Sequence, residues 1–339
     1  MLITVLASIL VFGVLITVHE LGHFIVAKLT GMRVDEFAIG FGPLIYQNKT
    51  AKTLYSLRMV PLGGYNKIAG MEPGDQGAPD GFASKPLWAR LLVICAGSAM
   101  NFLLPIILFF IIFMASGMEV PVNEPVVGMV SPGQPAAVAG MMPQDKILAV
   151  GGTRISTWDD LIVAMKANGA KETVFTVDRA GSVRDYKITP IMNQEMQRPL
   201  IGIGPKFTQR AMGVWESART SVLYEKRIIA SMLTALHRLF TGGDKAELSG
   251  PIGVAQMAGD VAAKGILPLL NFIAFLSINL AIINMLPVPA LDGGHVVVLL
   301  VEGIRGKPLS LEWQERIQMI GIALIILLTI FTTFNDITR

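Results

Sequence analysis

Long uncharged runs alternate with shorter polar or mixed segments along the chain. Four stretches hold no Asp, Glu, Lys or Arg: Met1 up to Glu20, Leu91–Met118, Gly265–Leu291 and Ile317–Asn335. Each supplies the roughly 20 residues that cross a ~30 Å hydrocarbon core, so each predicts a transmembrane helix. The first lacks a basic leading segment and a small-residue cleavage site, and is read as a retained span.

Between these runs the period changes. "VDEFAIGFGPLIY" and "NKTAKTLYSLRMVPLGGYNKIAG" carry β-branched and aromatic residues punctuated by Gly40, Gly42, Gly63 and Gly64, which predicts short strands. Glycine-rich backbone beside a bilayer must be buried in protein or line a cavity. "MEPGDQGAPDGFASK" reads as a linker. From about Val126 to Pro190 the texture is that of a small α/β domain. There "PVVGMV" is a strand, "QPAAVAG" a short helix, and "DKILAVGGTRI" a strand pair about Gly-Gly. "TWDDLIVAMKAN" is an amphipathic helix, and "ETVFTVDRAGSVRDYKITP" a hairpin turning at Ala180-Gly181. Residues 211–241 predict an amphipathic helix that lies at the outer membrane surface or packs against the soluble domain, and "LSGPIGVAQMAG" leads into the third span.

Composition agrees with a membrane protein: 52% of the 339 residues are hydrophobic, 16% are charged and mean hydropathy is +0.57. The net charge of +3 includes no basic run of the kind that binds nucleic acid, so no nucleic-acid partner is expected. The lone cysteine, Cys95, lies in the second span and has no disulfide partner within the chain. Lys28, Arg33, Lys49, Lys52, Arg58, Lys67, Lys85 and Arg90 lie between spans one and two, and Arg305, Lys307 and Arg316 between three and four. The positive-inside rule then puts both loops in the cytoplasm and both termini outside.

The end of span one carries the chemistry. His19-Glu20-Leu21-Gly22-His23 matches H-E-x-x-H, which on a helix sets two imidazoles on one face for a single metal ion. Zinc suits two nitrogens and a carboxylate, and Glu20 is close enough to take a proton from water at that ion. An ionised group at this depth is costly, which favours function over mere packing. The third ligand must come from elsewhere, and "NMLPVPALDGGH" offers Asp292. Its prolines deny helical hydrogen bonds, its glycines permit a sharp path, and a broken helix at membrane depth marks a site. Spans one and three both run from outside to inside, so His19, His23 and Asp292 fall at similar depth near the cytoplasmic side. His295 is expected to contact solvent, and His237 to lie on the surface of the amphipathic helix. A metal-binding transporter or sensor without hydrolytic activity is the alternative; it has little use for Glu20 beside the ligands.

With "HELGH", "FGPLIY", "PLGGY" and "NMLPVPALDGGH" in this order, the chain resembles the site-2 protease family of intramembrane zinc metalloproteases, and within it the bacterial regulator-of-sigma-E protease group. The resemblance covers essentially the whole chain. It implies Zn2+ held by His19, His23 and Asp292, Glu20 as general base, and Asn284 holding substrate or transition state. It also implies a membrane-associated β element over 35–70 and a PDZ domain at 126–190, which serves as a size filter or takes a peptide in its groove. Substrates would be single-span membrane proteins, such as anti-sigma factors or signal-peptide remnants, cut in the bacterial cytoplasmic membrane. In "AGSAMNF" this chain has Ser98 where the family often has proline after the glycine, while Asn101 is kept.

The expected fold is therefore a polytopic α-helical membrane protein with four transmembrane helices, a membrane-associated β element and one inserted α/β PDZ domain. Its parts are span one at 1–30, the β region and linker at 31–87, span two at 88–118 and an extracytoplasmic PDZ domain at 119–192. An amphipathic region at 193–264, span three at 265–294, a cytoplasmic loop at 295–316 and span four at 317–339 complete it.

Overall fold

A computed structural model describes residues 1–71, 78–193, 198–242 and 250–338. The chain divides into one unit of Met1–Ala115 with Gly213–Arg339 and a second of Ser116–Met212. Residues 72–77 of the linker expected after the β region lie outside the described residues.

Helix α1 (Leu2–Leu29) is apolar all round, as suits a lipid-bathed helix. Its buried row Ala7, Val11, Leu15, His19, His23 and Ala27 follows the helical period, and Lys28 sits in the last turn, where a cation complements the free carbonyls. Strands β1 (Val34–Lys49) and β2 (Leu54–Ile68) are longer than expected, because each bends and pairs twice. Ala38 faces both Tyr65 and Ser56, Ile39 faces both Gly64 and Leu57, and Tyr46–Lys49 return along Leu57–Leu54. The result is four lines in the order 63–68, 34–39, 54–58, 44–49, in which each outer line runs antiparallel to its neighbour and the two central lines share one direction. Gly40 (φ +87°) and Gly63 (φ +136°) make the bends, in backbone conformations that side chains resist.

Phe24 of α1 packs on Phe37 and Tyr55 at centroid distances of 4.9 and 5.9 Å. A Cβ on Gly13 would stand 3.1 Å from the Pro61 carbonyl, so the sheet runs along α1 past the H-E-x-x-H turn. Phe41, Leu44, Ile45, Tyr46 and Met59 are exposed, an apolar patch that fits lipid. Helix α2 (Leu87–Ser116) follows, with Pro105 inside it.

The Ser116–Met212 unit holds β3 (Met118–Pro121), β4 (Val127–Val130), α3 (Pro135–Val138), β5 (Lys146–Val150), β6 (Thr153–Arg154) and α4 (Trp158–Asn168). After them come β7 (Thr173–Arg179), β8 (Ser182–Ile188), β9 (Ile191–Asn193), β10 (Arg198–Leu200), β11 (Ile203–Pro205) and β12 (Phe207–Arg210). A sheet β6-β5-β7-β8 packs with α4 around Ile147, Val150, Leu161, Phe175, Val177 and Ile201. Thr157 and Asp160 form a reciprocal cap on α4, which satisfies backbone donors that the helix leaves free. The β7–β8 turn has Ala180 and Gly181 at positive φ, matching the strand twist. The unit extends past the boundary expected at 192, because Phe207–Arg210 pair back on Pro121–Met118 and so join its two ends.

Helix α5 (Val214–Phe240) buries Ser217, Ser221 and Glu225 on one face, and Tyr224 meets Phe109 edge-on at 4.9 Å. The amphipathic helix is thus packed on α2 over its first half, and His237 is exposed. Helix α6 (Pro251–Ala263) starts at Gly250, where Asp336 accepts the N–H groups of Gly250 and Gly253 at 2.9 and 2.8 Å. Helix α7 (Ile266–Asn284) ends at the proline-containing turn, α8 (Asp292–Arg305) follows, and α9 (Leu311–Thr338) is last.

Half of the expected loop at 295–316 is α8, and its last residues, from Leu311, already belong to α9. An uncharged window ends at Asp292, yet an aspartate in a helix's first turn is favourable, and Gly306 in the left-handed region stops the helix. By length and composition α1, α2, α7 and α9 can each cross a membrane.

Candidate metal centre

His19 and His23 stand one turn apart on α1, both buried, and Asp292 opens α8. The turn before Asp292 is tight. Ala290 has φ +69°, Val288 donates to the Leu286 carbonyl at 2.7 Å, and a Cβ on Gly293 or Gly294 would collide with carbonyls of that turn. This folding back brings the Asp292 carboxylate onto α1.

The two Nε2 atoms lie 3.2 Å apart, Asp292 Oδ2 lies 3.4 Å from His19 Nε2, and Oδ1 lies 3.7 Å from His23 Nε2. Donors bound tetrahedrally to zinc at about 2.0–2.1 Å stand roughly 3.3–3.4 Å apart, so this spacing suits one zinc ion. Among the described residues these three form the group of His, Cys, Asp and Glu side chains able to hold a metal.

Glycines let α2 come in beneath the imidazoles. A Cβ on Gly22 would collide with the Ala96 carbonyl, and one on Gly97 would stand 2.7 Å from His19 Cε1 and closer still to His23 Nε2. The far ring nitrogens are also held. His23 Nδ1 lies 2.7 Å from the Val93 carbonyl, which can only accept; Nδ1 therefore carries the proton and Nε2 keeps its lone pair for a metal.

His19 Nδ1 lies 3.2 Å from the Asn101 amide, whose Oδ1 is buried with no partner among the described residues. Exchanging the amide's similar O and N gives a protonated Nδ1 its acceptor and again frees Nε2. Ser98 donates to Asp292 Oδ2 at 3.2 Å. Reading the motifs alone missed the contacts of Ser98 and Asn101. The available signal was that they are the only hydroxyl and amide side chains in 91–115, three residues apart on an apolar span.

Glu20 is half-buried within electrostatic reach of His23 and Asp292. Asn284 is the last residue of α7, half-buried and outside the three-donor group. His295 is exposed and lines a cavity of about 300 Å³ with Gly294 of α8, Asn66–Ile68 of β2 and Phe82. The ion pair Arg90–Glu302, at 2.9 Å, lies on its wall.

The profile of Peptidase family M50 matches residues 7–328. The chain belongs to peptidase family M50. It is similar to the Regulator of sigma-W protease RasP of Bacillus subtilis (strain 168), at 32% identity over 99% of this chain and 98% of the relative. The Zinc metalloprotease RasP of Geobacillus kaustophilus is 31% identical over 99% and 98% of the two chains. Both alignments run over 417 positions, so these relatives carry internal segments that this 339-residue M50 member lacks. A solved PDZ domain of a Listeria monocytogenes protein aligns with 25% of this chain and 90% of its own, at 17% identity and a TM-score of 0.23. The M50 chain is a zinc metalloprotease with membrane-spanning helices.

Proposed function

We propose that His19, His23 and Asp292 hold the zinc ion, that Glu20 is the general base, and that Asn284 holds substrate or transition state. The enzyme then hydrolyses peptide bonds inside the transmembrane segments of single-span membrane proteins. The observation that carries this reading is the spacing of the three donors, 3.2 to 3.7 Å, at the end of a membrane-length helix.

Zinc bound there supplies positive charge that polarises a peptide carbonyl and acidifies water. Glu20, next to His19 on α1, takes the proton of the attacking water and delivers it to the departing nitrogen. A substrate helix must first unwind, since its carbonyls are otherwise hydrogen-bonded. The line Gly63–Ile68 is an outer edge of the sheet and borders the cavity beside α8, which supports capture of the unwound strand by backbone pairing.

The basic residues between spans favour an active site near the cytoplasmic face of a bacterial inner membrane, with the Ser116–Met212 unit outside as a PDZ domain. That unit either filters substrates by size or binds a peptide. The sigma-regulator name of the Bacillus subtilis relative supports anti-sigma factors as substrates, and signal-peptide remnants are a second class.

Glu20→Gln tests the assignment. The variant should keep one zinc per chain and lose about 10²–10⁴-fold in cleavage of a single-span reporter in reconstituted vesicles. Wild-type cleavage by that variant would remove Glu20 as the base.

A further inference from the structure

We propose that Ser98 is a positioning residue for the carboxylate of Asp292, an inference that rests on reading His19, His23 and Asp292 as the zinc ligands. A serine inside a helix commonly turns its hydroxyl back onto its own helix, three or four residues earlier. Ser8 donates to the Thr4 carbonyl, Ser221 to Ala218 and Ser231 to Ile228 in this way. Ser98 does otherwise. It is 1% exposed, and its hydroxyl crosses from α2 to Asp292 Oδ2 at 3.2 Å.

That bond acts on the one ligand that does not come from α1. A carboxylate at a helix start can turn about its last side-chain bond and offer either oxygen. Ser98 pins Oδ2, the oxygen 3.4 Å from His19 Nε2, and so leaves Oδ1 facing His23 Nε2 at 3.7 Å. The carboxylate plane is fixed with one oxygen toward each imidazole before any metal arrives.

The same stretch of α2 serves the other ligands as well. Gly97 leaves room for both rings, and Asn101 meets His19. Through Ser98 this stretch of α2 also reaches the third ligand.

The test is zinc affinity of the full-length protein in detergent, measured by chelator competition. Wild type must bind one zinc; if it binds none, the ligand assignment fails rather than the role of Ser98. Ser98→Ala should weaken zinc binding about 10–100-fold, the usual loss when a contact supporting a ligand is removed. Ser8→Ala, which removes a helix hydroxyl contacting Ala255, should bind zinc as wild type does.

In the cobalt-substituted protein, Ser98→Ala should change the visible d–d bands as the carboxylate turns. Affinity within about twofold of wild type overturns the proposal whatever the spectrum. If Ser98→Ala also lowers the melting temperature of the zinc-free protein, the spectrum decides: changed bands support positioning, and unchanged bands overturn it.

Discussion

Asp292 and Asp145 are both enclosed carboxylates, and their surroundings differ in kind. In the α/β unit, Asp145 is fully buried and takes a two-pronged bond from Arg179, Nε and Nη2 each at 2.7 Å, plus the Met142 N–H at 2.9 Å. Burial alone would raise its pKa. The hydrogen bonds from Arg179 and Met142, with the charges of Arg179 and Arg184, outweigh that and hold it below the ordinary aspartate value. Every oxygen is answered by a donor, so the carboxylate is closed and structural.

Asp292 meets two imidazole nitrogens whose other sides are tied to Val93 and Asn101, with one serine donor of its own. The three donor atoms there converge on one point at coordination spacing. Burial does not mark a site; unanswered donor atoms at coordination spacing do.

Removing each carboxylate should separate the two cases, and the largest effect belongs to the site. Asp292→Ala should lose more zinc affinity than the roughly 100-fold typical of a supporting contact, as read by chelator competition, with little change in zinc-free stability. Asp145→Ala should do the reverse. Breaking the buried pair should cost the α/β unit about 3 kcal/mol by denaturant unfolding, while zinc affinity stays at the wild-type value.

Glu225 sharpens the comparison as a third type, a carboxyl 4% exposed whose Oε1 has no partner among the described residues. Burial raises its pKa from 4.5 to about 7. The folded state then binds the proton more tightly than the unfolded state. Stability falls as pH rises from about 4.5 to about 7 and stays low above that. Glu225→Gln should therefore match wild type near pH 4 and exceed it by about 2–3 kcal/mol at pH 8, checked by melting across pH. The smallest effect is at the α4 cap, where Thr157→Ala should cost about 1 kcal/mol in the same unfolding measurement.

What could be read from the chain follows the range of the interaction that decides it. The four uncharged runs coincide with α1, α2, α7 and α9, because membrane length and apolarity are local properties. The hairpin at Ala180-Gly181 and the helix begun at Thr157 were legible because turn and cap chemistry sit within four residues. The doubled pairing of β1 and β2 was not, since Ala38 can meet both Ser56 and Tyr65 only after the chain has bent.

Charge counting ended the third span at Asp292 and hid α8, because the same charge that closes an apolar run suits a helix start. Within the site, His19 and His23 announced themselves by spacing, and Asp292 by the broken helix around it. Ser98 and Asn101 did not, as an isolated serine and asparagine on an apolar helix carry no partner in their own sequence.

The central claim is that one zinc ion is held by two imidazoles of α1 and the carboxylate that opens α8. X-ray absorption at the zinc edge of the purified full-length protein tests it most directly. Two imidazole nitrogens at about 2.0–2.1 Å, with the remaining donors oxygen, is the expected result. A zinc shell without imidazole, or one containing sulfur, would contradict it.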